Sequence, residues 1–344
     1  MELLNNENPK KKQSEEYINL KNHIAFKPAR GLIEKISKDY KDLDGNFVEQ
    51  FQTTAFYPRL WELFLNELLL EQKFEILNQH NRPDFHLCID SLEFFIEASS
   101  SNPSVNDLYT EDVIAKSFIE QDKDIERKLV EYYVIKLGSV LYSKLSEEYW
   151  ELEWVKGKPL IFAVLPSHNS FARFLPDAKI TEYLYGIEYK SKISDSDELS
   201  FTKTQLENHT HLNKTIPSNF FSFPETENIS AVLFTNTCDL QKFNRMGQQG
   251  DFFEEDNIIT RIGKCYDFND DYAKDFKFVI GEDDHIETWA EGVSIFHNPN
   301  ATNPLQKGIF KNVREVWLNS NDEYEITVPD FHPYFSMTSV AFPE

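Results

Sequence analysis

"RPDFHLCIDSLEFFIEASSSNP", residues 82–103, contains two runs, "DFHLCI" (84–89) and "LEFFIEAS" (92–99), that read as adjacent strands. Aromatic and β-branched residues fill both runs, and Asp90-Ser91 between them has turn chemistry. Asp84 opens the first strand directly after Pro83, and Glu97 lies near the end of the second, thirteen residues on. A glutamate in "FFIEAS" is expensive to bury unless it is paired or liganded. Asp84 has a simple alternative role as a turn cap. Glu97 has one as half of a structural ion pair with a lysine.

Outward from this hairpin the chain reads as alternating helices and strands. "TTAFYPRLWELFLNELLLEQK" (53–73) predicts a helix whose regular part begins near Tyr57, because Pro58 is tolerated only in a first turn. Glu62 falls at the border of its apolar face, with Leu65 and Leu69 on one side and Arg59, Asn66 and Lys73 on the other. It can aim an acid into a cleft or simply face solvent. "FEIL" (74–77) predicts a third strand. Residues 118–150 predict one long helix with a stripe through Ile125, Leu129, Tyr133, Leu137, Val140 and Leu141. Lys144 interrupts that stripe, and Lys136 lies on nearly the same face. Each can carry chemistry, or lay its stem along apolar surface and reach solvent. "PLIFAVLP" (159–166) and "ISAVLFTN" (229–236) predict buried strands. This order predicts an α/β sandwich around a mixed sheet. Residues 1–50 read as an arm plus a short helix, "GLIEKISKDYKDL". Residues 237–344 show only short strand-like runs such as "KFVI" and "VSIFHN".

Composition narrows the function classes. The chain has 344 residues, 40% of them apolar, including 29 phenylalanines, so it has the mass for a large core. Net charge is −23, and residues 251–344 hold 19 acids against 7 bases, which argues against coating nucleic acid by bulk attraction. No apolar run is long enough to span a membrane, no apolar signal core is evident near the start, and a microbial cytoplasm is the default expectation. Cys88, Cys238 and Cys265 lack metal or redox spacing. His209 and His211 in "HTHL" have no third zinc ligand at a recognisable spacing. No phosphate-binding glycine loop appears, which argues against a nucleotide triphosphatase. Arg245 in "FNRMG" and His297 in "FHNPN" lie in turn-rich segments and are further candidates for a cleft.

A helix carrying Glu62, then "PD" at 83–84, then Glu97, then a long helix resembles the PD-(D/E)XK nuclease superfamily, over roughly residues 53–236. "YPRLWELFLNELL", "PDFHL", "FFIEASSSNP", "KLGSVLYSKLSEEYWEL", "GKPLIFAVLPSH", "KFNRMG" and "EGVSIFHNPNATNPL" are similar to an uncharacterised bacterial group within it. The resemblance implies a restriction-endonuclease-like core over 51–236: a mixed central β-sheet flanked by helices, with a C-terminal α+β elaboration over 237–344 packed on it. It also implies a metal-dependent nuclease acting on DNA, or RNA, in defence against foreign DNA. Asp84 and Glu97 would bind Mg²⁺ or Mn²⁺, with Glu62 assisting. The family pattern places a lysine two residues after the glutamate, and here that position is Ser99. Some members move the lysine to the following helix, which makes Lys144 the expected substitute and Lys136 the decoy, about 12 Å away along the axis. Two rival readings stand beside this one: an inactive nuclease fold used as a binding module, and a subunit active only with a protein partner. A homodimer is a further expectation, and a membrane partner is not.

Overall fold

The structure is a computed structural model that describes residues 1–5, 11–104, 107–175, 177–193, 199–266 and 273–342. An eight-stranded mixed sheet runs through its centre. In chain order its strands are β1 (Glu75–Ile76), β2 (Phe85–Ile89), β3 (Leu92–Ser101), β4 (Leu160–Pro166), β5 (Ala231–Thr235), β6 (Val293–His297), β7 (Arg314–Leu318) and β8 (Tyr324–Thr327). Their order across the sheet is the same as their order along the chain. β3, β4 and β5 are parallel, and β1, β2, β6 and β8 introduce the antiparallel pairs.

The continuous apolar runs of β4 and β5 follow from burial on both faces. Ile161, Ala163, Leu165, Ala231 and Leu233 enter one core layer, while Leu160, Phe162, Val164, Val232 and Phe234 enter the other. The first layer is closed by helices α1 (Glu15–Asn22), α2 (Lys27–Asp39), α3 (Phe47–Gln52) and α4 (Phe56–Glu71). The second is closed by α5 (Glu111–Glu120), α6 (Lys123–Leu145) and α7 (Ala178–Tyr185). α8 (Leu240–Gln248) returns to the first layer and packs along α2. A glycine sets that approach: a Cβ at Gly247 would lie 2.4 Å from the Pro28 carbonyl oxygen.

Three sequence expectations change. The helix expected over 118–150 is two helices and a turn. Gln121 takes a left-handed conformation that ends α5, and Asp122 caps α6 by accepting from the Asp124 and Ile125 amides at 3.0 and 3.1 Å. The described residues of 11–50 are not an arm: the expected short helix is α2, and Tyr17, Leu20, Ile33 and Ile36 are buried in the first layer. The boundary expected at 236/237 does not separate an elaboration from a core. β6, β7 and β8 extend the same sheet beyond β5, while Ile258–Cys265, Lys274–Val279 and Pro333–Ala341 form a separate three-stranded sheet. Strand pairing across the chain decides this, and short apolar runs do not reveal their partners.

Candidate active site

The β2–β3 turn forms because Asp90 and Ser91 both accept positive φ, at 46° and 70°. The register that follows pairs Phe85 with Ile96. Asp84 and Glu97 therefore fall at the next position, just before β2 begins, beyond which β3 has no β2 partner. The Ala98 amide donates to Asp84 Oδ2 at 2.7 Å, which fixes the aspartate against β3. Burial, and then the charges of Glu97 and Glu62, push the Asp84 carboxyl well above its ordinary value.

Glu97 is 4% exposed. Its Oε1 accepts from Lys144 Nζ at 2.6 Å and from the Tyr149 hydroxyl at 2.8 Å. Lys144 comes from the last turn of α6, and its side chain is part-buried. Burial pulls the Lys144 ammonium down, but Glu97 and Asp84 outweigh it and hold the group above its ordinary value. Burial and Glu97 raise the Tyr149 hydroxyl, so it stays a donor.

Glu62 approaches from α4 on the opposite face. Arg59 Nη1 holds its two oxygens at 2.8 and 2.9 Å, and the Tyr40 hydroxyl donates at 3.0 Å. Burial still raises the Glu62 carboxyl above its usual range, against the pull of Arg59 and Tyr40. A small cleft of about 60 Å³ opens here, lined by Tyr40, Asp42, Arg59, Glu62, Asn81 and Asp84 among others.

The structure thus brings Glu62, Asp84, Glu97 and Lys144 to one sheet edge, fed by helices on both faces. The other sequence candidates lie elsewhere. Lys136 donates to the Asn102 carbonyl and to Ser104 Oγ. Arg245 forks onto Glu287 at 2.7 and 2.9 Å, and buried His297 bonds Glu315 at 2.8 Å. Ser99 is buried and donates to the Ala163 carbonyl, so it supplies nothing to the cleft. His209 and His211 bond Ser218 and Tyr109 respectively.

Tyr40, Arg59 and Tyr149 are the participants that sequence reasoning missed. Arg59 had a signal, three residues before Glu62 on one helix. Tyr149 had a weaker one, five residues past Lys144, and Tyr40 had none.

The donor set suits a hard cation. Among the described residues, no partner donates to Asp84 Oδ1 or Glu97 Oε2. Among them also, no three His, Cys, Asp or Glu side chains cluster tightly enough to hold a metal alone. Mg²⁺ commonly takes only one or two carboxylates, with water and phosphate oxygens completing its octahedron.

The fold and this site define a mixed α/β protein with a carboxylate–lysine cluster at the sheet edge. No family model, no curated protein and no solved structure matches the chain.

Proposed function

We propose that this protein is a Mg²⁺- or Mn²⁺-dependent phosphodiesterase that cleaves nucleic acid, DNA in the first instance, in the defensive setting the resemblance implies. The observation that carries the reading is Lys144 Nζ, 2.6 Å from Glu97 Oε1 and within the field of Asp84. The position two residues after Glu97 is itself a buried serine, Ser99.

Asp84 and Glu97 would hold the cation through their unengaged oxygens. When bound, it would polarise a phosphate and lower the pKa of water. The protein's own groups have separable tasks. Tyr149 orients Glu97 by donating to Oε1. Arg59 and Tyr40 orient Glu62 at the cleft wall. Lys144, kept charged by its neighbours, stabilises negative charge developing on a phosphate oxygen. Its raised pKa suits that task better than proton abstraction.

The test is calorimetry with Mn²⁺ alongside cleavage of plasmid DNA and RNA. Wild type should bind and cleave, and Asp84→Ala should do neither. Equal Mn²⁺ binding by both proteins refutes the site, and binding without cleavage of either substrate points to an inactive module.

A second reading is favoured by one observation. Asp39, Asp42, Asp44, Glu62 and Asp84 line the cleft against Lys41 and Arg59. Such a mouth repels a polyanion. In this reading a partner chain supplies the basic surface, and cleavage appears only in complex.

A further inference from the structure

β4 and β5 are parallel neighbours whose outgoing chains part company. After β4 the chain turns through Phe171–Phe174 into α7, in the second core layer. After β5 it enters α8, in the first. Adjacent strands whose connections diverge to opposite faces leave a crevice beyond their carboxyl ends, the usual ligand site of open α/β sheets. Here that crevice is a cavity of about 160 Å³, covered by the Pro333–Ala341 strand. A cavity of roughly that size can hold one small ring or a phosphate group.

Most of its lining residues carry hydrogen-bonding side chains, although apolar atoms make up more of the wall. Arg173 comes from the β4 side and Arg245 from α8, and both line this space. Arg245 also holds Glu287 through Nε and Nη2 and Thr338 Oγ1 through Nη1. Arg173 Nη2 donates to the Tyr57 hydroxyl at 2.6 Å, and Asp239 lies 3.7 Å from Nη1. Gln241 Oε1, also in the lining, is buried and has no hydrogen-bond partner among the described residues. Behind Arg245 lie Lys242 and Arg261, both fully buried, with Glu287 and Glu291. This inner network sets three cationic side chains against two carboxylates. Arg261 Nε and Nη2 are buried without partners among the described residues. Excess buried charge is costly, and the excess is positive in a chain whose net charge is −23.

We propose that this crevice binds a phosphomonoester, with its phosphate between Arg173 and Arg245 and a hydroxyl donated to Gln241 Oε1. Guanidinium N–H groups form charge-assisted hydrogen bonds with phosphate oxygens, and Arg245 keeps one N–H on each terminal nitrogen beyond those given to Glu287 and Thr338. The unpaired amide oxygen needs a donor, which a protonated phosphate or a sugar hydroxyl supplies and sulfate does not. The proposal uses no cleft residue and no metal, so it stands or falls apart from the nuclease reading.

The test is calorimetry on the full chain in metal-free buffer at constant ionic strength, with inorganic phosphate, adenosine 5′-monophosphate and sulfate as probes. Phosphate and the mononucleotide should bind saturably and more tightly than sulfate. Arg173→Met should weaken phosphate about 10- to 100-fold, the scale of a lost charged hydrogen bond. Gln241→Met, which preserves side-chain volume, should erase the preference for phosphate over sulfate. Thermal melts of both variants check that each is folded, and if Arg173→Met is not, Gln241→Met decides alone. No binding by wild type overturns the proposal. So does binding that treats phosphate and sulfate alike and is unchanged in the folded variants.

Discussion

Glu97 and Glu287 are both buried glutamates, 4% and 2% exposed, and each bonds a lysine, at 2.6 and 2.7 Å. Their surroundings differ. Glu287 also receives Arg245 twice and Arg261 at 3.2 Å, and both its oxygens are engaged. Burial alone would raise its carboxyl. Arg245, Arg261 and Lys242 overturn that and hold it well below the ordinary range. At the cleft, one lysine serves Glu97 while neighbouring Asp84 is pushed up by burial and by Glu97 and Glu62. The first cluster saturates its carboxylate and ties α8 to the C-terminal sheet. The second leaves Asp84 Oδ1 and Glu97 Oε2 without a donor among the described residues.

The largest expected effect sits at the Glu97–Lys144 pair. Lys144→Met keeps much of the stem and removes the charge. Cleavage should fall by roughly 10²- to 10⁴-fold, the scale of a lost catalytic group, while Mn²⁺ binding persists. Lys136→Met should cleave like wild type. The reverse outcome assigns the wrong lysine, and indifference to both ends the displaced-lysine idea.

Next comes Glu287→Gln, which leaves Lys242, Arg245 and Arg261 facing a neutral group. Urea denaturation should show a loss of about 3–5 kcal/mol, as expected when one partner of a buried ion pair is removed. Glu97→Gln should cost clearly less, because the part-exposed Lys144 can turn to water. Equal losses would erase the contrast between the two clusters.

A smaller effect concerns pH. Asp84 binds its proton more tightly folded than unfolded. Without metal, then, folded stability falls as pH rises from about 3.9, the unfolded value, toward the raised folded value. The slope between those two values is about 1.4 kcal/mol for each pH unit crossed. Asp84→Asn removes that slope, so the variant should melt higher than metal-free wild type at pH 7. Mn²⁺ should raise the wild-type melting temperature and leave the variant's unchanged. A variant that melts lower at pH 7 would show that Asp84 stabilises the fold through its charge.

The smallest effect at neutral pH belongs to His168, which is buried against Ser101 Oγ at 2.8 Å. Burial first, and then Lys136, lower its pKa to about 3. The unfolded chain takes up this proton first, so stability is lost as pH falls from about 6.5 toward 3. Nuclear magnetic resonance should find the ring neutral at pH 5, and a ring charged at that pH would contradict the burial argument.

Much of the site was legible because its signals are local. Asp84 after Pro83, Glu97 inside an apolar run, Glu62 at a helix border and Lys144 on a core-facing stripe each break a pattern that surrounding residues set. Arg245 and His297 break patterns too, but the partners that explain them, Glu287 and Glu315, lie 42 and 18 residues away. Nothing local separates a charge that faces a cleft from one that faces a distant carboxylate.

The amino-acid sequence by itself determined which segments form the centre of the sheet, because burial on both faces demands unbroken apolar runs in β4 and β5. It determined the β2–β3 turn, since Asp90 and Ser91 stand where two strands must reverse. It also determined that Glu97 needs a partner. Only the tertiary structure decided which partner: Lys144 reaches Glu97 because α6 crosses the face of β3 that carries Glu97, forty-seven residues on. Only it decided that β6, β7 and β8 extend the same sheet, and that the chains leaving β4 and β5 diverge to open a crevice. Strand order and helix placement follow from how all the apolar faces are covered at once, a condition that no single stretch of sequence contains.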